Sequence, residues 1–129
     1  MPGARDPLKI KVALTPPTAR SDFIPTESQV LRSVLALLWR HPAVAWSARM
    51  NSGGFKDKAG QYVRFGFVGC SDVIGQMRDG RFLAIEVKRP GGKPTGPQQA
   101  FIDRVNAANG VAFIARSIDD VNDELRKAA

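Results

Sequence analysis

The chain of 129 residues holds one cysteine and one histidine. A lone Cys70 forms no internal disulfide, which leads to the expectation of a reducing, cytoplasmic setting and of a small buried role for the thiol. A lone His41 leaves no second imidazole for zinc or for a histidine-metal nuclease, and its place just before Pro42 suits a helix cap. Long apolar runs are also missing. Nothing approaches the roughly 18 residues of a membrane span, and the opening MPGARDPLKIK has no apolar leader stretch. Acid is scarce: 12 Asp and Glu face 19 Lys and Arg, for a net charge of +7 and a pI near 10.2. So basic a chain favours a polyanionic partner, nucleic acid before a membrane surface.

What remains is ordinary for one globular domain: 43% hydrophobic and 24% charged residues, without repeats or low-complexity blocks. Prolines crowd the start, with Pro2, Pro7, Pro16 and Pro17 before Pro25, so residues 1–24 read as a flexible arm and 25–129 as the domain. TESQVLRSVLALLWRHP is a helix, opened by a Thr26–Gln29 capping box, striped with Val30, Leu31, Val34, Leu35 and Leu38, and stopped by Pro42. AVAWSARMN alternates as a strand with Val44, Trp46, Ala48 and Met50 on one side. SGGFKDKAGQ reads as a loop and YVRFGFV as a second strand. DVIGQM-RDG-RFLAIEVK is a hairpin turning at Asp79-Gly80. A helix capped by Thr95 and Gln98 and stopped by Gly110, a buried strand VAFIA and a last helix after Ser117 follow. The order predicts an α/β fold, a mixed β-sheet with helices on both faces.

Side chains two apart on a strand share a face, so Glu86 and Lys88 point the same way. A three-residue turn with Gly80 left-handed pairs Met77 with Arg81 and places Asp72 across from Glu86. A two-residue Asp-Gly turn pairs Asp72 with Val87 and separates the carboxylates. The residues fit both registers; the first is favoured because it gathers Asp72, Glu86 and Lys88. Two carboxylates about 4 Å apart repel by roughly 4 kcal/mol at an effective dielectric near 20, so such a cluster calls for a cation. Two acids with waters and phosphate oxygens suit Mg²⁺. Lys88 is then placed to orient or deprotonate water, or to steady charge on the phosphate. Gln98 falls on the stripe of Phe101, Ile102 and Val105, and Glu27 on that of Val30, Leu31 and Val34. Both become candidates for the same site, although a capping role explains Gln98 and a helix-dipole role explains Glu27.

GCSD (69–72), EVK (86–88) and QQAF (98–101), with the trailing ARSIDDV, together resemble the PD-(D/E)xK nuclease superfamily, and within it the VRR-NUC branch, over about residues 26–125. The resemblance implies a restriction-endonuclease-like αβββαβ core and metal-dependent phosphodiester hydrolysis. It implies Asp72, Glu86 and the Val87 backbone carbonyl as ligands of Mg²⁺ or Mn²⁺, Lys88 on the nucleophilic water, and Gln98 and Glu27 completing the site. Ser71 stands where the superfamily's name has proline. Short members of the branch resemble phage-type homodimers that cut branched DNA, four-way junctions in particular. That makes a homodimeric Holliday junction resolvase the first reading. A flap, nicking or restriction-like endonuclease and a non-catalytic DNA-binding module are the alternatives, and RNA stays open as a substrate.

DNA contacts are expected from GGFKDK, through Phe55, Lys56 and Lys58, and from KRPGGK, through Arg89 and Lys93. Asn51 is a further candidate, with a turn-forming role as its alternative. Trp46 and the FGF run at 65–67 are assigned to core packing, with a dimer interface as their other use.

Overall fold

The structure, a computed structural model, describes residues 23–50, 54–64 and 66–129. The proposed arm, apart from Phe23 and Ile24, lies outside the described residues, as do Asn51 and Phe65. The elements run α1 (Glu27–Arg40), β1 (Val44–Arg49), β2 (Gly54–Lys56), β3 (Tyr62–Arg64), β4 (Val73–Met77), β5 (Phe82–Val87), α2 (Gly96–Ala107), β6 (Val111–Ala115) and α3 (Ile118–Ala128). Four strands form one sheet in the order β1-β4-β5-β6, antiparallel except for the β5–β6 pair. The parallel pair requires a crossover, which α2 supplies. This is the expected mixed sheet of an αβββαβ core.

Alternation along the strands sorts the helices. Leu83, Ile85 and Val87 share one cluster with Val73, Met77, Val34 and Leu38 of α1, and Val121 and Leu125 of α3. Ala84 and Ala112, on the opposite face, pack against Ile102 and Val105 of α2. Both capping boxes form: Thr26 Oγ1 accepts from Gln29 N–H while Gln29 Oε1 accepts from Thr26 N–H, and Thr95 and Gln98 repeat the exchange. His41 caps α1, its Nδ1 accepting from Ala43 N–H at 3.1 Å.

The hairpin takes the three-residue register. Met77 N–H donates to the Arg81 carbonyl at 2.8 Å, Gly80 sits at φ +98, and Val73 lies opposite Ile85. Elsewhere the expectations needed correction. A bulge between Val44 and Trp46 breaks the alternation of β1. Val44, Ser47 and Arg49 then lie opposite Met77, Gly75 and Val73 on the α1 face, while Trp46 and Ala48 lie opposite Gln76 and Ile74 on the α2 face. Trp46 is 47% exposed and donates from Nε1 to Gln76 Oε1, and Phe67 is 50% exposed, so neither is a core residue. SGGFKDKAGQ is not a plain loop: Gly54–Lys56 pairs with Tyr62–Arg64 as a hairpin outside the main sheet, and the second strand ends at Arg64. Asn109, at φ 67, takes the left-handed position after α2. Gly110 is required for a different reason, since a Cβ there would meet Val105 Cγ1 at 2.6 Å.

Leu83, fully buried between sheet and helices, is a direct probe of this packing. Leu83→Ala should cost about 3 kcal/mol in urea unfolding with an unchanged m-value, the expected cost of a cavity at a closely packed site.

Candidate active site

Three chain segments converge at one end of the sheet. GCSD arrives through a turn closed by Cys70 N–H on the Phe67 carbonyl, with Gly69 at φ +86. A Cβ on Gly69 would lie 2.4 Å from the Pro97 carbonyl oxygen, so only glycine lets this segment press on the first turn of α2. Phe67 meets Phe101 of that helix edge-on at 5.0 Å. Asp72 is then held by neighbours on both sides: its carbonyl accepts from Met50 N–H at 2.7 Å, and its Oδ2 accepts from Val87 N–H at 2.8 Å.

Glu86 lies opposite Asp72 by the hairpin register and beside Ile114 of β6. It is 1% exposed, and its Oε2 has no hydrogen-bond partner. Lys88, half-buried, sets its Nζ 3.5 Å from Glu86 Oε1 and 3.9 Å from Glu27 Oε1 on the first turn of α1. One carboxylate oxygen from each of Glu27, Asp72 and Glu86 lies within 4.8 Å of the others. Oxygens bound to one hard cation at about 2.1–2.5 Å stand at most roughly 4–5 Å apart, so this set has the size and chemistry for a divalent ion. The unbonded, buried Glu86 Oε2 is an acceptor that such an ion would satisfy.

The electrostatics agree with that reading. Burial, followed by the Asp72 charge, pushes the Glu86 carboxyl up to about 7, and Lys88 only partly opposes them. Cys70 is buried, donates weakly to the Ser71 carbonyl, and has its thiol pushed up by burial and by the Glu86 and Asp72 charges. It is the inert small residue the sequence implied.

The structure thus brings together Asp72, Glu86, Lys88 and Glu27. Gln98 is half-buried on α2, but its Oε1 accepts from Thr95 N–H at 2.9 Å, as its capping pattern implied. Arg89 and Lys93 are exposed on the segment after β5, and Lys56 and Lys58 on the outlying hairpin. All four lack an ion pair with any described residue. Phe55 is 48% exposed on the same hairpin. Two features were not foreseen from the sequence. Arg116 Nε donates to the Gly92 carbonyl at 2.9 Å, tying the basic segment after Lys88 to the start of α3. Ser71 is wholly buried with its Oγ unbonded. No spacing rule marks the Arg116 bond, because it joins segments distant in sequence.

A carboxylate on a central strand, a second just before the neighbouring strand, a nearby lysine and an αβββαβ frame define the nuclease fold class of the PD-(D/E)xK type. The family model for the VRR-NUC domain matches residues 26–119, and the chain belongs to that family. Nucleases of the PD-(D/E)xK type usually use divalent metals, and the acidic cluster is of a kind that could hold one. Comparisons with curated proteins and with solved structures return no match. Among the described residues no helix is long and apolar enough to cross a membrane.

Because folded Glu86 holds its proton more tightly than the ordinary carboxyl at 4.5, the folded state binds more protons between about pH 4.5 and 7. Stability in chelator should therefore fall as pH rises through that window and level off above it, by on the order of a few kcal/mol. Chemical denaturation from pH 5.5 to 7.5 checks this. Glu86→Gln should flatten the trend, and equal slopes in both proteins would refute the assignment. Gly69→Ala should lower stability by about 1–3 kcal/mol, through its left-handed backbone and the Pro97 contact, and should lower nuclease activity more than an equally destabilising core variant does.

Proposed function

We propose that the protein is a divalent-metal-dependent endonuclease that hydrolyses phosphodiester bonds in branched DNA, four-way junctions above all, and that it works as a homodimer. The observation that carries this reading is the buried Glu86 carboxylate, one oxygen unbonded, grouped with Asp72, Glu27 and the Lys88 ammonium. Asp72, Glu86 and Glu27 would hold Mg²⁺ or Mn²⁺, with the Val87 carbonyl as a further donor. The ion, when bound, supplies Lewis-acid polarisation of the phosphate and acidification of a water.

The chain's own residues do the rest. Val87 N–H fixes the Asp72 carboxylate, so that acid needs no reorganisation as charge develops. Lys88, close to Glu86 and Glu27, sets its Nζ beside the reacting phosphate and donates from it to the attacking water or to a phosphate oxygen. Gln98, its Oε1 occupied by the cap, has its amide nitrogen to offer an oxygen of water or substrate. Lys56, Lys58, Arg89 and Lys93 meet backbone phosphates, and Phe55 stacks on an unpaired base near a branch point. Asn51, outside the described residues, is a further candidate for these contacts. Such contacts read shape and charge, so sequence preference is weak. A two-fold dimer presents two equivalent sites to the two strands that a junction requires to be cut, and Trp39, 88% exposed on α1, supplies apolar surface for the pairing.

The test compares four-way junction, flap, single-strand and linear duplex DNA with Mg²⁺, with Mn²⁺ and with chelator. Paired, symmetric cuts confined to the junction, and a two-chain mass in sedimentation, are expected. Lys88→Ala should cut at least about 10²-fold more slowly while binding the junction as the parent does. Cutting of flap or linear DNA instead would keep the chemistry and remove the junction assignment. Tight binding without cutting under either metal would leave a non-catalytic DNA-binding module.

A further inference from the structure

A cavity of about 200 Å³ opens between α1 and the end of β1, lined by Ser28, Leu31, Arg32, Leu35 and Arg49. Its position is fixed from two sides. Ser28 directly follows Glu27, one of the three grouped acids. Arg49 precedes Met50, whose N–H holds the Asp72 carbonyl at 2.7 Å. The cavity therefore lies on the segments that carry Glu27 and hold Asp72.

Arg49 reaches this side only because of the bulge in β1. Regular alternation from Val44 would turn it to the opposite face, but the bulge sets it across from Val73, on the face that packs against α1. Bulges are a common means of re-aiming a side chain beside an active site. Both guanidinium groups are exposed, and neither forms an ion pair or hydrogen bond among the described residues. Two unpaired, exposed arginines lining one small cavity offer positive charge to an anion that enters it. A phosphodiester group suits the space, with planar guanidinium forks for its oxygens and Ser28 as a neutral donor.

We infer that this cavity binds a backbone phosphate next to the one being cut, so that the DNA strand entering the carboxylate cluster crosses the first two turns of α1 and is gripped by Arg32 and Arg49. The inference rests on the reading of a DNA nuclease, and it assigns that site a direction of strand entry.

The experiment measures affinity for a labelled four-way junction in chelator, where no cutting can occur, over a range of salt. The variants are Arg32→Gln/Arg49→Gln and, as a control for charge alone, Arg126→Gln/Lys127→Gln. The control pair lies in the last turn of α3, at the opposite end of the sheet, where Arg81 donates to the Ala128 carbonyl. The first variant should bind about tenfold more weakly, with the slope of log affinity against log salt reduced by between about 1 and 2, while the control stays within about twofold. Junctions carrying one neutral methylphosphonate beside the cut site complete a cycle: at one position the neutral group should weaken the parent and add nothing in the arginine variant. Unchanged affinity and slope, equal losses in both variants, or additive losses at every neutral position would overturn the proposal. Arginine-dependent binding by a parent that never cuts would remove the nuclease reading alone, whereas a cutting parent matched by its arginine variant would remove this inference alone.

Discussion

A carboxylate on a central strand, shut away from water with one oxygen unbonded, costs several kcal/mol unless something positive or acidic meets it. Glu86 is in that position, and much of the surrounding structure can be understood as its support. Asp72 stands opposite and is held by the Val87 amide, Lys88 turns its ammonium between Glu86 and Glu27, and Glu86 keeps its proton up to about neutral pH. Without a metal, the cluster balances itself with one proton and one lysine. That compromise is tolerable for folding, and under the proposed function a divalent cation would take the place of both.

The frame makes this possible because its stability comes from elsewhere. α1 and α3 cover one face of the sheet with a continuous apolar cluster, and α2 covers the other with a smaller one. The acids collect where the helix starts and strand ends meet, at the rim of that core. Gly69 against Pro97 and Arg116 on Gly92 fix the two segments that flank the acids, so the positions of Asp72 and of the basic stretch after Lys88 follow from backbone contacts.

Much of this was legible in the residues alone. The residues left two hairpin registers open, and the one favoured because it gathers Asp72, Glu86 and Lys88 is the one the structure takes. The capping boxes located the first turns of α1 and α2, and hence Glu27 and Gln98. Local rules govern these features, and local rules can be read from spacing. The bulge in β1, the pairing of Gly54–Lys56 with Tyr62–Arg64, and the left-handed Asn109 were not legible, because each is decided by packing against a partner strand or helix. The same limit explains why Trp46 and Phe67 were expected in the core. Their apolar character is plain, but the face they occupy depends on the bulge and on where the second strand stops.

Under the proposed function a divalent cation replaces the proton on Glu86 and relieves Lys88. Calorimetric titration of Mn²⁺ into the protein, repeated in buffers of different ionisation enthalpy, counts the protons released on binding. Release of nearly one proton per ion is expected at pH 6, falling toward none at pH 8.5, with affinity rising over the same range and Glu86→Gln abolishing both effects. Binding that releases no proton at pH 6, or that survives Glu86→Gln unchanged, would contradict that replacement.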